Sequence, residues 1–399
     1  MTEPTSDRPR LFLLPGRDKR IRAGHPWAYS NEIKIGLEEK ALEPGTVVSL
    51  HRVDGKYYGT GTFNPHALIA VRLYFKQAEQ ALDAAFFGER LTQAAALRDR
   101  LFDAPYYRLI HAEADGLPGL VVDRHGDVVV VQSGTAGNDH LMGELLSAVE
   151  SVLKPKTVIV KSDTPARQFE GLDPDSRVVL GSLDGPIEIK ERGLTFCADP
   201  IDGQKTGWFY DQRLNRGLVA GLAKDARVLD VYAHTGGFGV SAAANGASSV
   251  MCVDSSQKAI DLATLAAEKN GVANICTFDR SDAFESLEAL AASKKRFDVV
   301  CVDPPAFAKS KKDVASALKG YRKLARLASR VVARGGLLFA ASCSHNVLAE
   351  RFNAEITIGC SRSERFGRIL AMGGAGPDHP IHPQLPETAY LKSILLQLD

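Results

Sequence analysis

Cys343 stands between two serines, Ser342-Cys343-Ser344, where the apolar run GGLLFAAS stops. A cysteine so placed can work as a thiolate that adds to an electron-poor carbon and leaves again once the substrate has reacted. Cysteines inside apolar strands are usually inert packing, which is the reading of Cys252 and Cys276. Cys301 lies in such a run but only two residues before Asp303, and it is the second candidate nucleophile. Around these thiols the sequence sets a series of carboxylates at the ends of apolar runs: Asp230, Asp254, Asp282 and Asp303, the last followed by Pro304-Pro305. Tyr232, Thr235, Gly236 and Gly237 follow Asp230 in a glycine-rich turn that runs to Gly239. Glycines at such a turn let backbone approach a ligand closely, with the next helix N-terminus aimed at it. Asp254 comes about 20 residues later, where a carboxylate can hydrogen-bond a ribose diol. Asp282, just after the third run, is placed to meet an adenine amine. One strand-end carboxylate alone reads as readily as a solvated residue; four in series point to a nucleotide-like ligand. The glycines are not spaced GxGxxG, and nothing else suggests a nicotinamide.

The elements that must carry these residues are legible from Arg227 onward. RVLDVY, SVMCVD, NICTFD, FDVVCVD and GGLLFAAS are near-continuous apolar runs, as expected of parallel strands buried on both faces, and helical segments separate most of them. The expectation is an α/β class, doubly wound, mostly parallel sheet with its ligand beyond the C-terminal strand ends. Ahead of it the pattern changes. Val47–Arg52, Tyr57–Phe63 and Leu68–Tyr74 are short β-type runs with Asp54-Gly55 as a hairpin turn, which reads as a small β-barrel. A helix near Leu82–Leu101, strands near Gly119–Val122 and Val128–Gln132, a helix near His140–Leu153, and strands near Val158–Lys161 and Ile187–Lys190 make a small α+β module. The expected domains are residues 1–78, 79–194 and 195–399.

Bulk composition narrows the class. With 399 residues, 45% hydrophobic, 24% charged and a net charge of +1, the chain has the make-up of an ordinary globular protein. No apolar run is long enough to span a bilayer, and the N-terminal MTEPTSDRPR has no apolar core for a secretory signal, so a cytoplasmic protein is expected. The six cysteines show no CxxC spacing, so no metal is expected and the thiols should stay reduced.

The succession of acidic strand ends resembles class I methyltransferases, which use S-adenosyl-L-methionine. In such a sheet the strands ending in Asp303 and Cys343 are neighbours, so both should face one pocket. Carbon 5 of a pyrimidine is too weak a nucleophile to take a methyl group unaided. A thiolate adding to carbon 6 makes carbon 5 enamine-like and reactive, while Asp303 would contact the N3–N4 edge of the ring. More specifically, the sequence resembles the PUA-domain-containing bacterial large-subunit ribosomal RNA cytosine-5 methyltransferases over nearly its whole length. The resemblance rests on His25-Pro26-Trp27, Glu113-Ala114-Asp115-Gly116-Leu117-Pro118-Gly119-Leu120 and Lys205-Thr206-Gly207-Trp208-Phe209-Tyr210-Asp211-Gln212-Arg213. It continues through Thr235-Gly236-Gly237-Phe238, Asp303-Pro304-Pro305-Ala306-Phe307, Ser342-Cys343-Ser344, Asp378-His379-Pro380 and Tyr390-Leu391-Lys392. It implies a PUA barrel, a middle module and a catalytic domain, with Cys343 as nucleophile and Asp303 beside it. It also implies a methyl donor held by the Gly236 loop, Asp254, Asp282 and Asp303, with Gln212 and its neighbours against it. Two positions depart from the family: His234 replaces a frequent aromatic residue, and Ala306 a larger, often basic one.

RNA is the expected partner. Arg8, Arg10, Arg17, Lys19, Arg20 and Arg22 cluster against one acid, Asp18. Lys309, Lys311 and Lys312 follow the Asp-Pro-Pro loop, and with Lys205, Arg213, Pro304 and Phe307 they are the expected RNA contacts. Lys319, Arg322, Lys323 and Arg326 read instead as a solvated helix face. His379 is open to two roles, the base that removes the carbon 5 proton or a structural turn residue. A homodimer is compatible with the sequence. Two other functions compete: methylation of a guanine or exocyclic amine without a thiol, and RNA binding without turnover.

Overall fold

The computed structural model describes residues 8–76, 80–203 and 206–399; Lys205 lies outside the described residues. The chain forms two compact units, one of Met1–Gly185, Asp199–Trp208 and Pro377–Thr388, the other of Pro186–Ala198, Phe209–Gly376 and Ala389–Asp399.

In the first unit a five-stranded sheet comprises β1 (Arg10–Phe12), β2 (Trp27–Tyr29), β3 (Thr46–His51), β4 (Tyr57–Phe63) and β5 (Ile69–Phe75), in the order β1-β3-β4-β5-β2. The three strands expected from the sequence are its centre. The outer two, three residues each, are too short to show a period of two. Gly59 and Gly61 let β4 and β5 cross closely, since a Cβ at either would fall 2.5 or 2.3 Å from a carbonyl oxygen of Phe75 or Arg72. A second sheet holds β6 (Tyr106–His111), β7 (Leu120–His125), β8 (Val128–Ser133), β9 (Thr157–Ser162) and β10 (Asp175–Leu180). Helices α1 (Ala84–Asp99) and α2 (Met142–Leu153) cover its core of Leu91, Leu109, Val129, Leu145 and Val160. Tyr74 and Phe75 of β5 belong to that same core.

The second unit begins with a hairpin, β11 (Ile187–Glu191) and β12 (Leu194–Ala198), turning at Arg192 and Gly193, both with positive φ. The expected boundary at 194/195 falls inside this hairpin. Its attachment to the second unit comes from Glu191, which accepts two hydrogen bonds, at 2.7 and 2.6 Å, from Arg216 on helix α3 (Arg213–Gly221). The main sheet then alternates strand and helix: β13 (Arg227–Val231), α4 (Gly237–Ala244), β14 (Ser249–Asp254), α5 (Gln257–Lys269), β15 (Cys276–Arg280), α6 (Ala283–Ala292) and β16 (Phe297–Val302). It continues with α7 (Val314–Val331), β17 (Val332–Ser342), α8 (Ala349–Ser361), β18 (Gly367–Gly373) and β19 (Lys392–Leu398). The spatial order is β15-β14-β13-β16-β17-β19-β18, parallel from β15 to β17 and antiparallel for the last two. Leu229, Val231, Val300, Val302, Leu338 and Ala340 pack with α6, α7 and α8; the alternate residues Val228, Cys252, Cys301 and Phe339 pack with α3 and α4. Burial on both faces is why these strands read as unbroken apolar runs. Strand order reverses at β13, the topological switch point where ligands of open α/β sheets bind.

Candidate active site

At that switch point β13 runs into a turn of unusual backbone. Tyr232 (φ 64), His234 (φ 49) and Gly236 (φ 80) are all left-handed. Two non-glycine residues held there store strain of the kind found at functional sites. The turn is fixed from below. Asp230, 1% exposed, accepts a hydrogen bond from Gly239 N–H at 2.8 Å. Burial pushes its carboxyl up to about 7, assisted by the charge of Asp254 and opposed by the Gly239 bond and Arg216. Gly239 also permits α4 to lie on β14, because a Cβ there would be 2.4 Å from Cys252 Sγ. Asp254, half-buried at the end of β14, accepts from His234 N–H at 2.8 Å through one oxygen and from Ser256 N–H at 2.9 Å through the other. Each oxygen keeps a lone pair for a diol. Asp282 is exposed and caps α6, accepting from Phe284 N–H at 2.8 Å and Glu285 N–H at 3.2 Å. The half-buried Tyr232 phenol has its pKa raised by burial first and then by the charges of Asp282 and Asp254. Thr235 and Gly237 are buried in the turn. Gln212 is buried and accepts from Asn215 Nδ2 at 2.6 Å.

Asp303 and Cys343 both emerge, half-buried, just beyond the C-terminal ends of adjacent parallel strands, β16 and β17. The serines that flank Cys343 are fully buried. Ser342 Oγ donates to the Tyr321 hydroxyl at 2.8 Å, the same hydroxyl lies 2.7 Å from Ser344 Oγ, and Ala308 N–H donates to Ser344 Oγ at 3.3 Å. One tyrosine on α7 therefore clamps the serine side chains on both sides of the thiol, and Ser344 ties them to the loop after Asp303-Pro304-Pro305. Phe307 of that loop stacks on the Tyr321 ring, centroids 4.7 Å apart. Cys301, by contrast, is wholly enclosed and its thiol is pushed well up by burial, the signature of packing. The clamp was not anticipated from the sequence; its one visible trace is the polar pair of serines closing an apolar run.

Other expected residues have varied surroundings. Arg213 is buried, 3.6 Å from Glu191 and over the Tyr210 ring, an inward position unlike the RNA contact expected of it. Arg20 is exposed but donates to Glu32 at 2.6 Å, and Arg22 lies 3.8 Å from Asp18. Arg8 is held by Thr60 Oγ1 and the Gln80 carbonyl. Pro304 is buried, while Lys309, Lys311 and Lys312 are exposed. His379 belongs to the first unit. Its ring is enclosed, 3.0 Å from Asp378 and with its centroid 4.9 Å from that of His111, while Asp378 accepts Arg108 N–H. Lys319, Arg322, Lys323 and Arg326 line, with Arg362, a recess of about 630 Å³. The helix face read as merely solvated is thus concave and strongly basic, although Arg322 is paired with Glu355.

Residues 172–396 match the model of the S-adenosylmethionine-dependent methyltransferase family and residues 11–76 that of a PUA-like domain. The chain belongs to the S-adenosylmethionine-dependent methyltransferases, with a PUA-like domain preceding the catalytic one. Along 98% of its length it is 34% identical to ribosomal RNA large subunit methyltransferase I of Alteromonas mediterranea, covering 98% of that protein. The protein of the same name from Shewanella denitrificans is 33% identical, with 98% of this chain and 99% of that one covered. Among solved structures, a candidate SAM-dependent methyltransferase from Streptococcus mutans superposes with a TM-score of 0.81 over 98% of this chain and 100% of that one, at 21% identity. A candidate methyltransferase complexed with SAH gives 0.82 with the same coverage and identity. The cofactor is S-adenosylmethionine, and the turn fits it. Asp254 offers lone pairs to a diol, and the start of α4 offers N–H groups at close-packed glycines. Among the described residues, no helix is long and apolar enough to cross a membrane.

Proposed function

We propose that this protein transfers a methyl group to carbon 5 of a cytosine in large-subunit ribosomal RNA, through a covalent Cys343 adduct. The observation that carries the reading is a thiol held between two clamped serines, at the end of the strand adjacent to the one that ends in Asp303, whose N–H meets the Val231 carbonyl where the cofactor turn begins. Asp254 and the turn from Tyr232 to Gly237 hold the cofactor, with Asp282 toward its adenine and Gln212 nearby. Bound there, the cofactor supplies an electrophilic methyl group. The Cys343 sulfur forms a bond to carbon 6, the ring's π electrons move to N3, and N3 takes a proton from the Asp303 carboxyl, which recovers it when those electrons return through carbon 5 to the methyl group. Carbon 5 then takes the methyl group and loses its proton to a base, and the electrons of that C–H bond expel the thiolate. His379, its ring enclosed against Asp378, suits the structural role better than that of this base.

RNA as substrate draws support from the names of the relatives, from exposed Lys309, Lys311 and Lys312 after the catalytic loop, and from the basic recess on α7. Phosphate contacts at these sites would position the strand while the target base leaves its stack. The PUA-like domain, with Arg20 and Arg22 at its surface, would add affinity. The work would take place in the cytoplasm, where ribosomal RNA is assembled. Unmethylated large-subunit RNA, incubated with labelled cofactor and digested to nucleosides, should carry the label in 5-methylcytidine. Label in a methylguanosine or in an exocyclic amine would replace the thiol mechanism with direct transfer.

A further inference from the structure

Lys392 opens β19 and pairs across the antiparallel ladder with Ser342, one residue before Cys343. Only 6% of it is exposed. Its ammonium reaches past the strand end to donate to the carbonyl of Ser344, the residue just after the thiol, and to that of Tyr390 at 3.0 Å. Among the described residues no carboxylate pairs with it. Burying an ammonium among carbonyls without a counter-anion is costly, and an apolar side chain of similar length would fill the same space more cheaply. A charge kept there needs an anion to serve. The group whose charge acts on Lys392 is Cys343: burial lowers the lysine to about 8, and a thiolate at Cys343 pulls it back up. Such coupling is reciprocal, so the ammonium must favour the thiolate by the same free energy.

We propose that Lys392 is a positioning residue that holds Cys343 as its thiolate. The inference rests on the reading of Cys343 as the nucleophile. It adds a source of the thiol's activation, since Asp303 beside it, neutral or ionised, brings no positive charge. The geometry supports the assignment: the Tyr321 clamp fixes Ser342 and Ser344, and Lys392, paired with Ser342 across the ladder, is bonded to the Ser344 carbonyl, so ammonium and thiol are held at the ends of two neighbouring strands.

The test is the pH dependence of Cys343 alkylation by iodoacetamide in the full-length protein, followed on the Cys343 peptide by mass spectrometry. In the unmodified sequence the midpoint should lie below the ~8.5 of a free cysteine; a midpoint at or above that value overturns the proposal without any variant. Lys392→Met should raise the midpoint by about one unit or more, so that alkylation near neutral pH slows about tenfold. Lys392→Arg, which keeps the charge, should restore most of the rate. Superposable profiles for Lys392→Met and the parent, with cofactor affinity unchanged, would equally overturn it. Because alkylation needs neither RNA nor methyl transfer, this result is independent of which base is methylated.

Discussion

Asp230 shows how much a single buried carboxyl can shape the behaviour of the site. Its folded value of about 7 stands far above the ~3.9 of an unfolded aspartate, so between those values the folded protein binds the extra proton. The stabilisation this gives is complete below about pH 4 and lost as pH rises through about 7. Asp230→Asn should therefore gain melting temperature relative to the parent as pH is raised from 5 to 8, and equal shifts at every pH would mean that the carboxyl is not desolvated. Much of this residue-scale chemistry was legible. The carboxylates stand where apolar runs stop, and a strand end in an open sheet is where solvent and ligand begin. What could not be read was pairing. The ion pair of Arg213 with Glu191 joins residues of separate elements, and Asp282 showed no sign of its second task as a helix cap.

At the scale of elements, the cofactor turn depends on α4 lying almost in contact with β14. Gly239→Ala would drive a methyl group to within 2.4 Å of Cys252 Sγ and disturb the bond to Asp230. It should cost about 1–3 kcal/mol of stability by urea unfolding and weaken the cofactor as well. Retention of both would show that α4 can move away freely. The parallel strands were evident from their unbroken apolar runs. The closing pair, β18 and β19, was not: nearly all of β18 is exposed, and its partner arrives after a long connection. Missing β19 also meant missing Lys392, which the sequence shows only as the last residue of a motif of unstated purpose. Local periodicity reports burial, whereas the company a side chain keeps across a ladder is a tertiary fact.

At the scale of the molecule, the expected cut after residue 78 separates two sheets that share a core. Tyr74 donates to Asn138, Arg72 lies between Glu113 and Glu170, and Phe75 packs on Phe86. Charge substitutions are therefore a cleaner probe of RNA binding than truncation. If Lys309, Lys311 and Lys312 meet phosphates, replacing all three by alanine should lower the slope of log affinity against log salt by about 0.7 for each phosphate no longer neutralised on single-stranded RNA. An unchanged slope would remove this loop from the RNA surface. The central claim is the covalent route itself. The most direct measurement is to incubate the protein and cofactor with ribosomal RNA carrying 5-fluorocytosine, which has no carbon 5 proton to release, and to look for a protein–RNA species that survives denaturation. That species is expected for the parent and for Cys301→Ala, and none for Cys343→Ala. Adduct formed by Cys343→Ala, or methylation that proceeds at full rate without that thiol, would contradict the covalent route.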